Sequence, residues 1–326
     1  MDAALLLADL VAIDSVNPAL VPGAAGEAEI AAYVATWLDE RGLDVTIVDD
    51  EPRGRPSVVG VARGTGGGAA AAERLRGDVI VTAVADEEHA SVGVQAVLRR
   101  FTANACVVTE PTHLRACVAH KGFAWAELET RGRAAHGSRP DLGVDAIAGM
   151  GPVLAGIVAV QARLDAAPHP LLGPASLHAS VIGGGQELSS YPERCVLGLE
   201  RRTLPGERAT DVERELAGLL ALATEADPRL QTALRMGLWR DPFEISPGAE
   251  VVRVLRAAGE AVLGQAPPVV GDHPWMDAAF TAAAGIPTVV FGPGGAGAHA
   301  VEEYGDLGSV EGCAAVLSET ARRLCA

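Results

Sequence analysis

The sequence predicts an α/β protein with a smaller α+β domain inserted into it, and three observations support this. Short apolar runs rich in β-branched residues alternate with helix-period segments in the first third of the chain and again near its end. Between them, from Cys117 onward, the texture changes to the alternation expected of half-buried antiparallel strands. At 326 residues with 49% hydrophobic content, the chain exceeds a typical single domain and can bury a sizeable core.

The elements follow in order. A helix is predicted over 26–42, where Ile30, Ala31, Val34, Trp37 and Leu38 share a face and Gly42 supplies a C-terminal stop. Strands are predicted at VTIVDD (45–50), SVVGVARG (57–64) and DVIVTAVADEE (78–88). The last is a continuous apolar run, as expected of a strand buried on both faces of a mostly parallel sheet. A helix over 91–101 and a strand over 105–112 complete the first part. Within the insertion, HKGFAWAELETRGRAAHGS, a helix over 145–165, strands over 176–185 and 194–204, a helix over 210–224 and an extended segment over 230–239 give strand, helix, strand, strand, helix, strand. That is the ferredoxin-like order. A helix over 250–264, a strand over 287–294 and a closing helix VEGCAAVLSETARRLC return to the first texture. The expected division is therefore 1–115 with 243–326 against an inserted 116–242. There is no internal repeat, and GTGGGAAAAERLRG (64–77) is the low-complexity segment.

A formal net charge of −16 argues against nucleic acid and anionic membranes, since no basic excess is available to neutralise phosphates, and points to small-molecule partners. The start of the chain lacks a basic region before its apolar residues, and no apolar run is expected to cross a bilayer, so a cytoplasmic protein is expected. Five scattered cysteines with no CxxC pair give neither a disulfide framework nor a thiolate zinc site.

Glu87 and Glu88 close one strand, where an open α/β sheet presents ligands outside the carboxyl ends of its strands. Alternatively, Asp86, Glu87 and Glu88 begin the next helix, where carboxylates favour the dipole. Glu110 closes the next strand in the same manner, and His299 lies in the glycine-rich loop GPGGAGAHA after a later one. Carboxylates with imidazole suit zinc or a similar divalent ion, and a carboxylate that does not bind the metal can take a proton from water. His89, His113, His120, His169, His178 and His273 are read as packing or surface residues.

VADEEHASVG (84–93), VVTEPT (107–112), AAHGSRPDLGVDAI (134–147), YPERC with ERRTLPGE (191–207) and FGPGGAGAHAVEEY (291–304) resemble successive blocks of the acetylornithine deacetylase and succinyl-diaminopimelate desuccinylase family. The resemblance implies a zinc-exopeptidase-like domain, with helices on both faces of its sheet, interrupted by a ferredoxin-like lid or dimerisation domain. It implies a cytoplasmic, metal-dependent deacylase of N-acyl amino acids, using zinc or cobalt and pairing as a homodimer through the lid. By the same resemblance Glu87 is the general base, Glu88 ligates one metal, Glu110 the other, and His299 joins Glu88. His136, from the lid, stabilises the oxyanion. Arg201 and Arg202 could grip a substrate carboxylate as arginine forks do, or form a solvated surface. Asp277, in PWMDAAF, falls where the family often has an acid, or starts a helix.

The family pattern also contains a His-x-Asp strand and a metal-bridging Asp near a glycine pair. No histidine here is followed two residues later by Asp, and SVVGVARGTGGG runs directly into AAAAERLRGDVIVTAVADEE. An internal strand and its loop are therefore expected to be missing, leaving one metal or fewer. Three functions remain open: an impaired deacylase, an inactive pseudoenzyme that binds acyl amino acids or a homologous partner, and a dipeptidase or aminopeptidase.

Overall fold

Runs of β-branched residues form strands because these side chains fit a pleated, half-buried surface, and a computed structural model shows how they assemble. The structure describes residues 3–50, 54–65 and 75–326. Helices α1 (Ala3–Ala12) and α2 (Ala28–Asp39) precede strands β1 (Asp44–Val48), β2 (Ser57–Ala62) and β3 (Val79–Ala83). Helix α3 (Val92–Leu98), β4 (Cys106–Val108) and β5 (Ala116–His120) follow. Next come β6 (Gly122–Arg131), β7 (Ala135–His136), α4 (Ala146–Asp165), β8 (Ser176–Gly184), β9 (Ser190–Tyr191), β10 (Arg194–Thr203), α5 (Ala209–Ala226), β11 (Gln231–Arg240) and β12 (Phe243–Glu244). The chain closes with α6 (Glu250–Leu263), β13 (Val269–Asp272), α7 (Ala278–Ala283), β14 (Thr288–Val290), β15 (Gly295–Ala296), β16 (Tyr304–Gly305) and α8 (Leu307–Leu324). Two compact units result: Met1–Val118 with Ile245–Val270 and Met276–Ala326, and Ala119–Glu244 with Gly271–Trp275.

In the first unit, β1, β2 and β3 form an antiparallel sheet with β2 in the centre. Val58 packs with Ala31 and Leu38 of α2, whereas Val59 and Val61 pack with Ala96 and Val97 of α3. Helices thus cover both faces, and β2 is the doubly buried strand. The expectation for β3 was wrong: it lies at the sheet's edge, Thr82 and Ala83 are exposed, and Val81 keeps 46% of its surface. Composition reports apolarity, but position in the sheet decides how much of it is covered.

The expected mostly parallel sheet is also corrected. A second sheet has the order β12-β5-β14-β4, with β13 beside β5. In it β14 and β4 are parallel, while β5 pairs antiparallel with both β14 and β12. Parallel neighbours need a long crossover, usually helical. Helices α6 and α7 lie between β4 and β14 in the chain, but no described helix separates β1, β2 and β3. Ala116, Val118, Val289 and Phe291 pack against Val252 and Leu255 of α6 and Val316 of α8.

The second unit is an antiparallel sheet of order β11-β6-β10-β8. Leu128, Leu197 and Leu199 meet Met150 and Val153 of α4 and Leu216 and Leu220 of α5, giving the ferredoxin-like layer the element order predicts. Asp145 caps α4 by accepting from the Ala148 N–H at 2.8 Å. Contrary to the sequence expectation, α4 is long and apolar enough to cross a membrane by length and composition. Met150, Val153, Ile157 and Val160 instead give it a stripe that packs in this unit's core.

Candidate functional site

The carboxylates after β3 stand in a turn and not in a helix. α3 begins at Val92 and has no acid in its first turn, so the helix-start alternative for Asp86, Glu87 and Glu88 is excluded. The chain leaves β3 with the Ala85 N–H donating to Ser57 Oγ at 3.1 Å. Gly93 lies so close that a Cβ there would come within 2.3 Å of the Ala85 nitrogen. Asp86 adopts φ 68°, in the left-handed region that only a few non-glycine residues enter. Its carbonyl accepts from the Ser91 N–H at 2.7 Å, and its Oδ2 accepts from the Ala90 N–H at 3.1 Å. Burial alone would raise the Asp86 carboxyl, but hydrogen bonds from Asn17 and Arg55 outweigh it and hold it low. Asp86 is therefore a fixed anion beneath the turn.

Glu87 behaves in the opposite way. Burial, followed by the charges of Glu110, Asp277 and Glu88, pushes its carboxyl up to about 8. Burial, followed by the Glu88 charge, raises Glu110 as well. Four acids thus converge: Glu87 and Glu88 after β3, Glu110 after β4, and Asp277, 4% exposed, immediately before α7. His299 brings its Nδ1 to 4.0 Å from Glu88 Oε2, with both side chains largely exposed. Its loop is set by Gly292, where a Cβ would fall 2.1 Å from the Glu110 carbonyl oxygen, and by the Gly292 N–H donating to Thr112 Oγ1 at 2.9 Å. His299 itself sits at φ 62°.

Repelling carboxylates that favour protonation are an environment a cation would relieve. The donor set nevertheless falls short of a resident catalytic zinc, which takes three protein ligands. Among the described residues no group of three or more His, Cys, Asp or Glu is placed to hold one ion. Glu88 and His299 form only a pair. The stretch 66–74, where the expected junction of the missing segment lies, falls outside the described residues. On either side of it the Thr65 N–H donates to the Leu75 carbonyl at 2.9 Å, and β2 pairs directly with β3.

His136 belongs to the second unit and lies on β7, paired with Ser190 of β9. Its Nδ1 lies 2.8 Å from Ser138 Oγ and accepts from the Ser138 N–H at 3.2 Å. Arg201 does not grip a substrate: it is 1% exposed and bound by Glu207 and by Glu215 at 2.9 Å. Arg202 pairs with Glu200 at 2.6 Å and lies over the Phe123 ring. Asn17, Arg55 and Thr112 are supports that sequence reasoning missed. Their partners Asp86 and Gly292 lie far along the chain, so no local spacing marks them.

Comparison with known proteins follows the same lines. The peptidase dimerisation domain of the M20 type matches residues 118–228. The acetylornithine deacetylase of Myxococcus xanthus is 28% identical over 310 residues, covering 92% of this chain and 79% of that protein. The protein of the same name from Klebsiella pneumoniae is 26% identical over 265 residues, 77% of this chain and 65% of its own length. Aminopeptidase PepT from Bacillus cereus superposes with a TM-score of 0.83 at 17% identity, covering 100% of this chain and 98% of that one. Bacillus subtilis YxeP, a dinuclear metal binding peptidase from the M20 family, gives a TM-score of 0.70 at 15% identity, covering 92% and 93%. At such identities the structural likeness establishes the fold.

Proposed function

For this relative of the acetylornithine deacetylases, with its M20-type dimerisation domain, we propose an amidohydrolase of N-acyl amino acids whose turnover is limited by a reduced metal-binding set. One observation carries the reading: Glu87, Glu88, Glu110 and Asp277 converge, and the surrounding burial and charge bring Glu87 to about 8. A carboxyl poised near neutral pH both accepts and returns a proton, which amide hydrolysis requires of its general base and acid. Glu87 takes that role in the proposal, and His136 is assigned to the oxyanion. Glu88 with His299 is the proposed site for zinc or cobalt, and Glu110 stands at the second position. N-acetylornithine and succinyl-diaminopimelate are the first substrates to try, since the relatives' name supports an acyl amino acid. The proposed domain roles are metal and proton chemistry in the first unit, and lid and homodimer contact in the inserted 116–242.

The shortage of donors favours a second reading, a pseudoenzyme that binds an acyl amino acid without cleaving it. Both readings meet the same test. Protein purified without chelator is expected to carry less than one zinc per chain and to hydrolyse N-acetylornithine only when zinc or cobalt is added. Binding of N-acetylornithine with no hydrolysis at saturating metal would leave the pseudoenzyme, and faster cleavage of dipeptides than of N-acyl amino acids would make it a peptidase.

A further inference from the structure

The turn that presents Glu87 and Glu88 is anchored to parts of the chain far from it. Asp86 Oδ1 accepts from Asn17 Nδ2 at 2.7 Å and from Arg55 Nη2 at 2.9 Å. Arg55 is itself gripped by Glu27, with Nε to Oε2 at 2.6 Å and Nη2 to Oε1 at 2.5 Å. All three charged side chains are nearly removed from solvent: Arg55 keeps 10% of its exposure, Glu27 12% and Asp86 1%. The other Asp86 oxygen takes the Ala90 N–H, so one carboxylate ties Arg55 to the far end of the turn.

We infer that Arg55 is a positioning residue of the candidate site, fixing through Asp86 the left-handed turn from which Glu87 and Glu88 project. This rests on the reading of those two glutamates given above. Two non-glycine residues with positive φ, Asp86 at 68° and Ser91 at 53°, bracket the turn. Such backbone persists only where its surroundings over-determine it. A buried carboxylate that loses its cationic partner no longer ties Arg55 to the Ala90 N–H, and the turn is released. Arg55 supplies what a lysine supplies less well, a planar fork that holds Glu27 through two nitrogens while one of them also reaches Asp86. Buried ionic groups contribute little to stability compared with well-packed apolar ones, so their use directly beneath the two glutamates is best explained by the geometry they impose.

The test is hydrogen–deuterium exchange on the full chain, comparing Arg55→Met, Arg55→Lys and the parent. The amides of Ala90 and Ser91, which donate to Asp86, are expected to exchange about tenfold faster in Arg55→Met, while those of α6 and β6 change by less than about twofold. Arg55→Lys, which keeps a cation beside Asp86, is expected to recover protection to within about threefold of the parent. Should Arg55→Met fail to fold, Glu27→Gln loosens Arg55 without removing it and is expected to speed the same two amides by about threefold. Unchanged exchange at Ala90 and Ser91, or equal acceleration throughout α6, would overturn the inference. Metal-dependent hydrolysis of N-acetylornithine, assayed on the same samples, judges the proposed function separately. A parent that hydrolyses nothing removes that function and leaves the exchange result to decide the role of Arg55.

Discussion

Replacing Glu87 with Gln removes the proposed proton carrier while keeping its volume. Metal-stimulated hydrolysis of N-acetylornithine is expected to fall by about 10²–10⁴-fold, and equal rates in E87Q and parent would remove Glu87 from the mechanism. A different glutamate sets a pH dependence. Glu129, 5% exposed on β6, is held down to about 2 by hydrogen bonds from Arg194 and then Arg131. Because its folded value lies below its ordinary 4.5, its contribution to stability is complete above that value and is lost as pH falls toward 2. Glu129→Gln should therefore cost on the order of 1–3 kcal/mol at pH 7, with the gap to the parent closing between about pH 5 and 2 in acid-unfolding curves. The positions of Glu87, Glu88 and Glu110 after apolar runs, and of His299 in a glycine-rich loop, are legible from sequence, whereas the roles given to them are proposed. Arg201 misled, since an Arg in a charged segment looks the same whether it meets solvent or Glu207 and Glu215.

At the level of elements, close backbone approach sets the geometry between the loop after β14 and the end of β4. Gly292→Ala would press a methyl against the Glu110 carbonyl, so a cost of about 1–3 kcal/mol is expected in urea unfolding. A midpoint within error of the parent would mean that the loop yields freely. Strand β3 supplies the other expectation. Its exposed edge, with Val81 46% exposed, is a template for pairing with another chain, and Val81→Lys should reduce concentration-dependent light scattering without lowering the thermal midpoint. The sequence located β3 correctly but misjudged its surroundings, because an apolar run does not say how many neighbours a strand has. The parallel-sheet expectation failed similarly: strand direction depends on the connections, and β1, β2 and β3 have no described helix between them.

For the whole molecule, two separate cores, one around Leu197 and Leu216 and one around Val289 and Leu255, are each substantial enough to give cooperative unfolding. The chain, which has no His-x-Asp pair in its sequence, is expected to melt in at least one cooperative transition, and a featureless calorimetric trace would show that these cores do not suffice. In the inserted unit Val158 of α4 and Val181 of β8 are each 71% exposed. If this unit mediates a homodimer, as the matching dimerisation domain supports, Val158→Arg with Val181→Arg should convert a sedimenting dimer to monomer. The sequence by itself determined the two textures, the ferredoxin-like order of the insertion, the acids that end β3 and β4, and the absence of a His-x-Asp pair, because periodicity and residue type are local properties. Only the tertiary structure decided that β2 is the doubly buried strand, that burial and neighbouring acids raise the Glu87 carboxyl while hydrogen bonds hold Asp86 low, and that Arg55 stands beneath the turn. Each of these depends on groups distant in the chain meeting in a poorly solvated space, where charge and burial act over distances that sequence spacing does not encode.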